Sequence, residues 1–117
     1  MSIKQVHDFL IGLPNTKLDF PFGEDVAVFK VMGKMFGLLS DNSVSLKCEP
    51  MLAQLLREKY KAVTPGYHLN KRHWNSIKLD GSVPQDELFE LIDHSYELVV
   101  KKLRKADREK LAAQAGK

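Results

Sequence analysis

The fold is decided by Asp25–Cys48, DVAVFKVMGKMFGLLSDNSVSLKC. Asp25–Met32 is rich in β-branched residues and reads as a strand. Gly33-Lys34 follows, a two-residue hairpin signal with glycine first. Met35–Ser40 is a second strand, and Asp41-Asn42 supplies the next turn. Ser43–Cys48 then alternates, with Val44, Leu46 and Cys48 on one face and Ser43, Ser45 and Lys47 on the other. Connections this short force antiparallel neighbours, so the stretch is a three-strand meander.

Upstream, Ile3, Val6, Phe9, Leu10 and Leu13 recur at helical spacing, with Ser2 and Gln5 in the capping-box relation. Pro14-Asn15 ends that helix. Thr16–Glu24 reads as a loop whose Phe20 and Phe22 are expected to close one end of the core. Downstream, Pro50 fits the first position of a second helix, with Met51, Leu52, Leu55 and Leu56 as its apolar face. Arg57 and Lys61, four apart, project from one side of it. Val63–Gly66 breaks the chain, and His68–His73 is a polar, basic connector. Trp74–Asp80 reads as a last strand, with Ile77 and Leu79 pointing one way and Trp74, Ser76 and Lys78 the other. Pro84 opens the longest helix, striped by Leu88, Leu91, Ile92, Tyr96, Val99 and Leu103. The expected fold class is α+β: an antiparallel sheet, the meander plus the later strand, backed by helices in two layers. Residues 1–104 form the domain, and 105–117 are a charged helical extension or tail.

The chain has 117 residues, 44% of them apolar and 28% charged, which suits one globular domain. Cys48 is the only cysteine, so no internal disulfide forms and a reducing cytoplasm is the expected compartment. No apolar run reaches the roughly 18 residues of a membrane span. Ser2–Leu13 mixes charge into its apolar residues, unlike a signal peptide.

The net charge of +3 hides a local excess. Arg57–Lys78 holds Arg57, Lys59, Lys61, Lys71, Arg72 and Lys78 against the single acid Glu58, and Lys101–Lys110 carries a second excess. Local positive fields attract polyanions; the alternative is a solvated lysine surface. On the sheet face away from the helices the alternation puts Ser45 and Lys47 beside Trp74, Ser76 and Lys78. There Trp74 is placed either to stack a base or a partner, or to tuck into the edge of the core.

No catalytic pattern is present. There is no Gly-rich phosphate loop, no H-E-x-x-H, no C-x-x-C and no G-x-S-x-G. His68 and His73, five apart without a nearby carboxylate, lack zinc spacing. Cys48 reads as a core residue rather than a nucleophile. Asp19, Glu24 and Asp25 read as turn and solvation residues. The expectation is a protein that is not an enzyme, with no cofactor, no metal, no membrane partner and no small-molecule substrate.

The run Thr64–Asn75, TPGYHLNKRHWN, resembles the MmcQ/YjbR family of small bacterial proteins. So do Phe20–Val26 (FPFGEDV), Phe29–Val31, Gly33–Phe36, Leu46-Lys47 with Pro50, and Leu79–Gly81 with Pro84. The resemblance covers about residues 2–103. It implies a compact α+β fold similar to frataxin-like and secretion-chaperone-like folds, and a "double wing" DNA-binding label that rests on fold analogy. It carries over no catalytic residue. It points to Lys47, Tyr67, His68, Asn70, Lys71, Arg72, His73 and Trp74 as binding positions. With the basic residues Arg57, Lys59, Lys61 and Lys78 these make the expected nucleic-acid surface. His68, Asn70 and Trp74 are equally suited to holding an irregular connector in place. Three functions follow: DNA binding; a protein–protein interaction module anchored by Trp74 and Tyr67; and a frataxin-like metal binder, disfavoured because the first helix offers only Asp8 as a carboxylate.

Overall fold

A computed structural model describes residues 3–66 and 69–115. The elements are α1 (Ile3–Ile11), β1 (Thr16–Asp19), β2 (Val26–Val31), β3 (Lys34–Ser40), β4 (Ser43–Lys47), α2 (Pro50–Lys59), β5 (Val63–Pro65), β6 (Trp74–Lys78), α3 (Gln85–Lys101) and α4 (Lys105–Ala115). Six strands form one antiparallel sheet in the order β1-β2-β3-β4-β6-β5. The α+β class and the β2-β3-β4 meander are as expected.

Two strands lie where the sequence predicts irregular chain. β1 lies inside the expected Thr16–Glu24 loop, paired to β2 from Thr16↔Val31 to Asp19↔Val28. β5 occupies the expected break at Val63–Pro65 and pairs with β6. Both are sheet edges, where a proline or a charged side chain is tolerated because one side of the backbone needs no ladder partner. The β2–β3 turn is also shifted. Val31 pairs with Lys34, so Met32 and Gly33 are the central residues, at φ 49° and 81°. Positive φ at both turn positions matches the right-handed twist of the flanking strands.

One sheet face carries the core. Phe29, Val31, Leu39, Val44, Leu46, Ile77 and Val63 point to it and are buried with Val6 and Leu10 of α1, Ala53 and Leu56 of α2, and Leu88, Leu91, Ile92 and Val99 of α3. Fully burying one such side chain contributes about 1.5–3 kcal/mol. α3 lies across β2, β3 and β4, α1 packs on β1 and α3, and α2 on β5. Leu111 of α4 is buried in the same cluster. The ladder slips between Phe29 and Lys30, which leaves Phe36 without a partner on β2. Phe36 turns inward and meets Tyr96 edge-to-face, with ring centres 5.2 Å apart. Phe20 and Phe22 do not close the core: both are exposed, Phe22 to 62%.

Candidate functional site: the helix-free face of the sheet

Cross-strand pairs share a face, so the registers list the other side residue by residue. One row crosses all six strands as Asp19, Val28, Leu38, Ser45, Ser76 and Thr64. The next runs Val26, Ser40, Ser43 and Lys78. Val26, Leu38 and the fully buried Val28 make the β2–β3 part of this face mainly aliphatic, and Ser40, Ser43, Ser45, Ser76 and Thr64 line it with hydroxyls. Lys78 stands toward the β6–β5 side, while Lys17 and Lys30, the latter paired with Asp19, lie at the β1–β2 side. Ser45 Oγ and Ser76 Oγ are hydrogen-bonded at 2.8 Å.

A groove of about 530 Å³ lies on this face. Leu38, Ser45 and Ser76 lie along its sheet side; Phe22, from the β1–β2 loop, and Leu69, from the β5–β6 connector, are its loop residues. It shares Asp41, Ser43 and Ser76 with a second hollow of about 460 Å³ that is bordered by Lys61, Thr64 and Lys78. The volume is that of a small-ligand site, and the polarity runs from apolar at one end to cationic at the other. Asp41 is the one acid among these lining residues.

The structure distributes the expected binding residues between two jobs. Lys61 and Lys78 are exposed beside the groove. Arg72 is exposed on the connector. Lys47 lies on the same face, opposite Trp74; partial burial, and then repulsion from Lys102, pulls its ammonium below the usual lysine range. Lys59 is drawn away to α3. Its ammonium stands 3.6 Å from the Glu87 carboxylate and over the Tyr60 ring, while the Tyr60 hydroxyl donates to Glu87. Tyr67 and His68 lie outside the described residues.

The remaining expected residues build the connector. Arg57 Nε donates to Asn75 Oδ1 at 2.6 Å, and Nη2 donates to the carbonyls of Lys71 and, at 3.3 Å, Trp74. Asn75 is buried on the core face and donates to the Ala53 carbonyl of α2 at 3.2 Å. Arg57 thus ties α2, β6 and the connector together instead of facing solvent. Asn70 Oδ1 accepts from the backbone N–H groups of Arg72 and His73 and closes a side-chain turn. The His73 carbonyl accepts from Cys48 N–H at 2.8 Å. Lys71 Nζ donates to the Gly66 carbonyl at 3.4 Å. Trp74 is 8% exposed and lies outside the core cluster, on the helix-free side. Gly66 comes so close that a Cβ there would stand 2.7 Å from Trp74 Cβ, so only glycine fits without a shift.

Sequence reasoning missed Ser95. Its buried hydroxyl accepts from Lys47 N–H at 2.9 Å and donates to the Phe36 carbonyl at 2.5 Å. It bridges the backbones of β3 and β4 through Phe36 and Lys47. The one available signal was a serine in the apolar stripe of α3. Cys48 is buried, and burial pushes its thiol up to about 11, which leaves it unsuited to nucleophilic work near neutral pH. At the start of α2, Glu49 caps the helix, and the Leu52 and Met51 amides hold its carboxyl below the usual range. Among the described residues no group of three or more His, Cys, Asp or Glu side chains comes together to hold a metal. None of the helices, over the same residues, is long and apolar enough to cross a membrane.

These features define a class: a two-layer α+β protein whose open antiparallel sheet is covered by helices on one side. The YjbR family model matches residues 11–98, and the chain belongs to the YjbR family. The uncharacterized protein YbdF of Escherichia coli O157:H7 is 37% identical over 105 residues, 86% of each chain. The uncharacterized protein YjbR of E. coli strain K12 is 32% identical over 115 residues, 95% of this chain and 98% of the relative. The crystal structure of Deinococcus radiodurans protein DR2400 superposes with a TM-score of 0.89 at 36% identity, over 95% of this chain and 88% of that one. A Pseudomonas syringae protein follows at 0.75 and 31%, over 84% and 98%.

Proposed function

We propose that the protein is a non-enzymatic DNA-binding protein of the cytoplasm that engages DNA through the helix-free face of its sheet. The observation that carries this reading is the juxtaposition of Lys61 and Lys78 with the hydroxyl end of the groove. Ammonium groups neutralise phosphate, while serine and threonine hydroxyls bond to phosphate or base edges. The charge of Lys59 is offset by Glu87, and Arg57, still charged, is held against Asn75 and two backbone carbonyls and is less free to reach a phosphate. The cationic surface is therefore smaller than the +5 of the 57–78 segment suggests, and moderate affinity follows. Arg72 extends the surface along the connector.

The test is fluorescence anisotropy with labelled mixed-sequence DNA, single-stranded and duplex, at about 0.02 and 0.15 M salt. Binding of either form that persists at the higher salt and is lost in Lys61→Glu/Lys78→Glu supports the reading. Binding that ignores those substitutions removes it.

A protein-interaction module is a second reading, favoured by Met51 and Leu55. They lie four apart on α2 and are 75% and 59% exposed. Trp74, buried, is not its anchor. Sedimentation that stays monomeric up to high concentration and is unchanged by Leu55→Glu counts against self-association through that patch.

A further inference from the structure

The groove is asymmetric in a way that discriminates between forms of DNA. Phe22 offers an aromatic ring that is 62% exposed, at the aliphatic end with Leu38. The hydroxyls of Ser45 and Ser76 follow, and Lys61 and Lys78 stand at the other end. A duplex keeps its base faces stacked inside and presents phosphates outward, so it has no ring face to set against Phe22. An unpaired nucleotide has three parts in the matching order: a ring face for Phe22 and Leu38, sugar oxygens for the serine hydroxyls, and a phosphate for the lysines. Aromatic platforms beside a cationic groove are how single strands are held without sequence readout. The cation count agrees with this. Lys61 and Lys78 border the hollow together with Asp41, so the site neutralises few phosphates.

We infer that the occupant of this groove is single-stranded DNA with its bases unstacked, one base resting on Phe22 and phosphate on Lys61 and Lys78. This rests on the DNA-binding reading and narrows it to one form of DNA.

The experiment titrates the full chain into a fluorescein-labelled 12-mer of mixed sequence and into the same 12-mer annealed to its complement. The single strand binds at least tenfold more tightly. Phe22→Ala weakens single-strand binding by about tenfold and leaves the duplex unaffected; Phe22→Trp, which keeps a ring, retains it. With two phosphates neutralised, log K falls with log salt at a slope of about −1.4 for the single strand. Lys61→Ala/Lys78→Ala flattens that slope. Because Phe22 is exposed, its replacement leaves the core intact, which circular dichroism checks. Duplex binding as tight as single-strand binding, or single-strand binding indifferent to Phe22→Ala, overturns the inference and leaves the broader reading standing. Binding of neither form overturns both.

Discussion

On the helix-covered side of the sheet the row Phe29, Gly37, Leu46 and Asn75 faces the core, while the neighbouring row on the free side runs Asp19, Val28, Leu38, Ser45 and Ser76. On the covered side the two fully buried polar side chains are each bonded on more than one side, Asn75 between Arg57 and Ala53 and Ser95 between Lys47 and Phe36, whereas the buried Thr16 Oγ1 of β1 has no hydrogen-bond partner among the described residues. The free side carries half-buried hydroxyls, for which water is an alternative partner. A buried polar group that loses its partner bears the full desolvation penalty; a half-exposed one does not. The same residue type therefore has different value on the two sides, and three substitutions measure the difference.

Arg57→Ala has the largest expected effect. It strips a donor from Asn75 Oδ1 and from the carbonyls of Lys71 and Trp74. With one of these groups buried, the loss is about 2–4 kcal/mol in urea unfolding. Arg57→Lys recovers only part of it, because one ammonium does not reproduce the fork of donors. It also leaves the salt slope of DNA binding unchanged, since the guanidinium faces inward. A loss under about 0.5 kcal/mol, typical of surface sites, erases the distinction between this basic residue and its neighbours Lys61 and Lys78.

Ser95→Ala comes next, at about 1–3 kcal/mol. It leaves the Phe36 carbonyl and the Lys47 N–H without the partner they share. Hydrogen exchange at the Lys47 amide then speeds up while exchange at the centre of β2 does not. Uniform acceleration over the whole sheet points instead to global destabilisation, and the local role of the hydroxyl is lost.

These contrasts explain what was legible in the sequence. The meander was readable because Val44 and Leu46 alternate with Ser43 and Ser45 and because the turns are short. β1 and β5 were not: Leu18 is the only large apolar residue of β1, and β5 is three residues ending in proline, so both take their strand character from the neighbour's ladder. Val26, Val28 and Leu38 look like core residues in a list of apolar positions. Only the register of β2 on β3 shows that they face away from the helices. The charge count marked residues 57–78 as basic. It was blind to Arg57, whose partners stand 14 to 18 positions along the chain.

The smallest expected effect, Ser45→Ala/Ser76→Ala, is also the sharpest test of the comparison. The two hydroxyls bond to one another at 2.8 Å in a half-buried setting on the free face. Removing one leaves the other within reach of the groove and its water, so each single substitution costs about 0.5–1 kcal/mol. Removing both eliminates donor and acceptor together, so the double variant loses less than the sum of the singles. A double-mutant cycle reads that difference as a coupling of about 0.5 kcal/mol. If the pair instead behaves like Ser95, at 2 kcal/mol or more, then the free face is as tightly constructed as the covered one. Its serines would then be holding the sheet together, leaving Phe22, Lys61 and Lys78 to hold the ligand alone. With the small stability effect, the double variant folds normally and weakens nucleic-acid binding. That combination, little change in unfolding and a clear change in binding, separates a surface shaped for a partner from one shaped for the core.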